Sequence, residues 1–106
     1  MAPQYTYGFQ SAGERRRHFL KHGGRFPFAT EQDYETAADT FLGGSLRPGA
    51  LECVVGAGKG SKSGRVVRYD PAADEFGILS PDRRYVITFF KPTPVGKGMA
   101  YYRKQC

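Results

Sequence analysis

The chain has 106 residues, 16 Lys+Arg against 10 Asp+Glu for a formal net charge of +6, and 40% hydrophobic content. This length suits one domain and excludes two with separate cores, while the apolar content excludes a wholly disordered chain. No apolar run approaches the roughly 20 residues of a membrane span, the longest being Tyr85 to Phe90, and the N-terminus lacks the basic-then-apolar pattern of a secretory signal.

Residues 1–10 carry no clear period and read as an arm or a short edge strand. Ser11-Ala12-Gly13-Glu14 fits a capping box, with Ser11 as N-cap and Glu14 reaching back. It predicts a helix from about residue 12 to His22, ended by Gly23-Gly24. Thr30 can cap a second helix whose first turn is acidic, where the helix dipole favours carboxylates. Tyr34, Ala37, Ala38, Phe41 and Leu42 then form one apolar stripe, and Gly43-Gly44 ends it.

From Leu51 the pattern changes to short β-branched and aromatic runs. Strands are expected at Leu51–Val55, Arg65–Asp70, Glu75–Leu79 and Tyr85–Lys91, with a fifth at Met99–Arg103. The connections carry turn residues and leave no room for crossover helices, so the strands should form an antiparallel meander. The expected fold class is α+β, with two N-terminal helices packed on a four- to five-stranded antiparallel sheet. As one domain it divides into the arm (1–10), a helical part (11–44) and the sheet (50–103).

Charge is sorted along the chain. Glu31, Asp33, Glu35 and Asp39 fall in the second helix, which is expected to turn away from a positive face. Cations gather at Arg15 to Arg25, Lys59 to Arg68, and Lys91 to Lys104. Two cysteines, Cys53 and Cys106, make no disulfide framework. They read as free thiols in a reducing compartment, with a single bridge left open. Two histidines and two distant cysteines fit no zinc pattern, so neither metal nor cofactor is expected.

His18, Lys21 and His22 lie at i, i+3 and i+4 and project from nearly one face, with Arg15 a turn earlier. Two imidazoles beside a lysine suit proton transfer, and the flanking cations would lower their pKa and hold an anion. A solvated basic helix face is the plainer alternative. The run Gly56 to Ser63 resembles a phosphate-binding loop, but Ser61 replaces the glycine before Lys62 and a strand follows instead of a helix. Lys59 and Lys62 therefore belong to a basic hairpin connection that can touch a nucleic-acid backbone.

On the strand Tyr85–Lys91, alternation puts Val86, Thr88 and Phe90 on one face. Arg68 either pairs with Asp70 or lies in solvent. Tyr101 and Tyr102 could pack, stack on a base or bond a phosphate. Arg15, Lys59, Lys62, Arg65 and Lys91 are the candidate substrate contacts. Histidines, cations, a hydroxyl and tyrosines are the equipment of metal-free RNA cleavage. A base takes the ribose 2′-OH proton, the oxygen attacks phosphorus, an acid protonates the leaving 5′-oxygen, and cations stabilise the phosphorane.

In order, His18-Phe19-Leu20-Lys21-His22-Gly23, the amphipathic second helix, Val66 to Asp70, Glu75 to Ser80 and Thr88-Phe89-Phe90-Lys91-Pro92 resemble the toxin domains of the barnase–EndoU–colicin–RelE-like superfamily. The resemblance spans roughly residues 15–103. After Phe26, where the pattern continues with glycine, this chain has Pro27-Phe28. The resemblance implies a ribonuclease, often a tRNase, neutralised by a cognate immunity protein. It also implies the C-terminal tip of a polymorphic or contact-dependent growth-inhibition toxin, delivered to act in the target-cell cytoplasm. Carried over residue by residue, it assigns catalysis to His18, Lys21 or His22, with His22 foremost, then Arg68, Thr88 and Tyr101 or Tyr102. An acidic inhibitor would be steered to a basic cleft. The alternatives are a non-catalytic RNA-binding module and a basic protein-interaction domain.

Overall fold

Ser11 starts the first helix, α1 (Ala12–His22), its Oγ accepting the Glu14 amide at 3.1 Å. The reciprocal half of the capping box does not form. The Glu14 carboxylate instead takes a hydrogen bond from Arg17 at 2.6 Å and faces His18 Nε2 at 3.5 Å. Thr30 caps α2 (Glu31–Gly43) by accepting the Asp33 amide at 3.1 Å. Tyr34, Ala38, Phe41 and Leu42 of the expected stripe are buried. The structure, a computed structural model, describes residues 3–92 and 97–106. The first two residues of the expected arm and positions 93–96 of the expected sheet region lie outside the described residues.

Four strands follow: β1 (Leu51–Val54), β2 (Val66–Asp70), β3 (Glu75–Leu79) and β4 (Val86–Phe90). They pair antiparallel in the order β1-β2-β3-β4, the expected meander. The pairing slips between Ile78 and Leu79, whose partners are Thr88 and Val86, leaving Ile87 as an extra residue. Simple alternation therefore fails in β4. Val86 and Phe89 enter one core, and Ile87 and Phe90 pack against the other.

The fifth strand does not form. Gly98–Gln105 is a helix, α3, laid on the sheet face opposite α1 and α2, so only part of the helical layer precedes the sheet. Met99 and Tyr102, three apart, both reach the second core of Val55, Val67, Tyr69, Phe76 and Ile78. Covering that face outweighs the strand preference of two adjacent tyrosines. Gly98 permits the approach, because a Cβ there would enter the Tyr69 ring.

The expectation of two free thiols is also overturned, since Cys53 and Cys106 form a disulfide. Cys53 pairs across the ladder with Val67 of the second core, on the side where α3 lies. The end of α3 thereby comes to a Cα–Cα separation of 6.2 Å, within bridging reach.

Two of the four acids of α2, Glu35 and Asp39, turn inward, contrary to expectation, while Asp33 stays exposed. Asp39, 1% exposed, accepts the Gln4 and Thr6 amides at 2.7 Å each and the Thr6 hydroxyl at 2.6 Å. Glu35 accepts the Phe9 amide at 3.1 Å. A buried carboxylate needs such donors to offset its lost hydration. The arm is thus tied down, and it ends in a parallel bridge between Phe9 and Val86 at the open edge of β4. Among the described residues, no helix is long and apolar enough to cross a membrane.

Candidate functional site

Helix α1 lies beside the edge strand β4 and turns both histidines toward it. His18 is 7% exposed and stacks on Phe9 with ring centroids 5.1 Å apart. Its Nδ1 is 3.5 Å from Thr88 Oγ1, and its Nε2 is 3.2 Å from Arg17 Nη2. Because a guanidinium only donates, the neutral ring accepts at Nε2 and carries its proton on Nδ1, toward Thr88. Glu14 Oε2, 3.5 Å from Nε2, is placed to meet a second proton there.

His22 follows one turn later, its ring 5.9 Å from that of His18 and stacked on Phe90 at 5.0 Å. Burial holds both imidazoles below their ordinary pKa of 6.5, reinforced for His18 by Arg17. For His22, burial comes first, then His18, Lys21 and Arg17, and together they bring it down to about 4. Both rings are uncharged at neutral pH and able to accept a proton.

Each histidine opens onto its own hollow. The first, about 230 Å³, includes Gln10, Glu14, Arg17, His18, Arg65 and Thr88 in its lining. The second, about 300 Å³, is lined by Lys21, His22, Arg25, Phe90 and Lys91. Lys91 donates to the Ala73 carbonyl at 3.2 Å and sits 5.5 Å above the Phe26 ring. Arg25 lies within 3.5 Å of the carbonyls of Lys91 and Pro92, drawing the end of β4 toward the start of the inter-helix loop. A polyanion laid along α1 would meet cations in both hollows and an imidazole in each.

The groove therefore gathers His18, Lys21, His22, Arg65, Thr88 and Lys91. Arg68 lies elsewhere, in neither solvent nor a pair with Asp70. It is buried, bonds Glu52 at 2.8 Å and donates to the carbonyls of Phe41 and Gly44 at 3.1 and 2.6 Å. Arg15 pairs with Glu31 at 2.9 Å and Glu35 at 3.5 Å, on the α2 side of α1. Tyr102 stacks on Tyr69 beneath α3. Tyr101 reaches Phe90 edge-on at 5.7 Å, so that ring is shared between Tyr101 and His22. Lys59 and Lys62 stand exposed in the 3-10 segment Ala57–Lys62, which leads into β2 without the helix that a phosphate loop requires.

Arg17, Glu14, Arg25 and Phe90 were missed as site residues. The first two carried a signal, since Glu14 and His18 are spaced i, i+4 and Arg17 adjoins His18. Arg25 and Phe90 did not, because they meet the site only through the fold. Among the described residues, no group of three or more His, Cys, Asp or Glu side chains is arranged to hold a metal ion. Comparison with protein-family models and with curated proteins finds no match for this chain.

Proposed function

We propose that the domain is a metal-independent endoribonuclease toxin of the barnase–EndoU–colicin–RelE-like class, acting on tRNA and restrained by an acidic immunity protein. The observation that carries this reading is the pair of uncharged imidazoles on α1, 5.9 Å apart, facing Thr88 and Phe90 across a groove rimmed by cations. In this reading His22 takes the 2′-OH proton and the ribose oxygen attacks the adjacent phosphorus. The bond to the 5′-oxygen breaks, leaving a 2′,3′-cyclic phosphate. In its protonated form, with the second proton on Nε2 toward Glu14, His18 is the acid that protonates the leaving oxygen. Lys21 and Arg17 balance the phosphorane charge, and Thr88 fixes the His18 ring.

The test is incubation of the purified domain with total tRNA in EDTA, beside His18→Ala and His22→Ala variants. Discrete fragments ending in cyclic phosphate are expected from the wild type. Loss of at least about 100-fold in rate is expected in a variant lacking its acid or base. RNA that is bound but left intact would favour a non-catalytic RNA-binding module. That second reading is supported by the burial of His18 at 7% exposure, which also suits a packing role.

A further inference from the structure

The arm carries exposed aromatic rings on a backbone that the fold holds still. Tyr5 is 54% and Tyr7 66% exposed, yet Asp39 fixes the amides of residues 4–6, and Thr6 Oγ1 accepts the Gly8 amide at 2.9 Å. Gly8 turns the chain at φ +76°, where an added Cβ would run into the Glu35 carboxylate. The Tyr7 amide donates to the Arg84 carbonyl at 2.7 Å, and the Tyr7 ring leans on Tyr85 with centroids 5.6 Å apart.

Across from the arm is the β3–β4 turn with Arg83 and Arg84, both exposed. Between them lies a cleft of about 390 Å³ lined by residues 3–7 and the two arginines. Asp82, the nearby carboxylate, is turned back into its own turn by the Ser80 hydroxyl at 2.6 Å and the Arg84 amide at 3.0 Å. Among the described residues, the Arg83 guanidinium has one ion-pair contact, a long one to Glu52 at 3.7 Å.

We propose that this cleft binds an unpaired stretch of RNA flanking the scissile phosphate. Its bases stack on Tyr5 and Tyr7, and its phosphates meet Arg83 and Arg84. The inference rests on RNA being the partner of the α1–β4 groove, and continuity links the two surfaces. The arm leaves Tyr7, pairs at Phe9 with Val86, and supplies Gln10 to the hollow that holds His18. Rings and guanidiniums side by side are the combination that binds single strands without sequence preference. Because the arm is already ordered, binding need not arrest it, which favours affinity.

The experiment measures the Kd of a fluorescein-labelled oligouridine dodecamer by anisotropy, using a His18→Ala/His22→Ala parent so that cleavage does not intervene. Adding Tyr5→Ala and Tyr7→Ala should raise Kd by roughly tenfold or more, whereas Tyr5→Phe with Tyr7→Phe should keep it. Adding Arg83→Gln and Arg84→Gln, at exposed positions where folding is not at stake, should lower the slope of log Kd against log salt by about 1 per arginine. A Kd within twofold of the parent and an unchanged slope would overturn the proposal, leaving the cleft to a protein partner. Absence of RNA binding in the parent would overturn it as well. If the wild type fails to cleave tRNA while the tyrosine effect persists, the nuclease reading falls and the cleft stands.

Discussion

The Asp39 carboxylate is sealed from water but accepts from Gln4, Tyr5 and Thr6, amide and hydroxyl together. Asp39→Ala would strip those donors of their acceptor at once, and an expected loss of about 3 kcal/mol in urea unfolding follows from the cost of unsatisfied buried groups. His22 is held below its ordinary pKa because burial and neighbouring cations penalise its charged form. With a folded value of about 4 against 6.5 for the unfolded chain, the folded state binds fewer protons between those limits. Stability should therefore fall as pH is lowered from 6.5 toward 4, and His22→Phe should flatten that dependence in denaturant melts. The same shifts set the rate profile. A base at His22 must be unprotonated and an acid at His18 protonated, so kcat/KM on tRNA should be bell-shaped, rising where His22 loses its proton, at about 4, and falling where His18, itself held below 6.5, loses its own. A profile flat across that interval would count against proton transfer by either ring. The histidine pair was legible in the sequence because its spacing is local. The Asp39 contacts were not, because its partner Gln4 stands 35 residues away.

At the scale of elements, Arg68 is a joint. From β2 it reaches Glu52 on β1 and the carbonyls of Phe41 and Gly44 at the end of α2, where helix geometry leaves oxygens unpartnered. Arg68→Ala should lose about 2–3 kcal/mol in chemical denaturation. A loss of a few tenths would mean that water replaces the guanidinium without cost. Both N-terminal helices and all four strands could be read from the chain, because caps, a stripe at helical spacing and turn residues are local signals. Helix α3 could not. Met99 to Arg103 is short enough to fit either period, and the apolar face of Val67, Tyr69 and Phe76 that selects the helix is assembled from distant strands. The same limit hid the slip at Ile87, since a bulge follows from pairing and leaves no mark in composition.

For the whole molecule, the sheet is covered on both faces, with α1 and α2 on one and α3 on the other. The second cover is covalently secured, and the two bridged residues are 53 positions apart. Closing a loop of that length restricts the unfolded chain by about 4 kcal/mol on the chain-entropy model. Reduction with dithiothreitol should lower unfolding stability by up to that amount, and Cys53→Ser/Cys106→Ser should reproduce the loss and abolish the response to reductant. Equal stability with and without reductant would mean that α3 is held by its apolar contacts alone.

The bridge also changes what kind of object the chain is. From Cys53 to Cys106 it forms a closed covalent ring that takes in the second half of β1 and the whole of β2, β3 and β4. A ring cannot be threaded end-first through an aperture that admits one extended polypeptide, because two lengths of chain must enter abreast. Passage of this domain as a single unfolded thread is therefore confined to times before the bridge forms or after it is reduced, and redox chemistry sets the order of transport and folding.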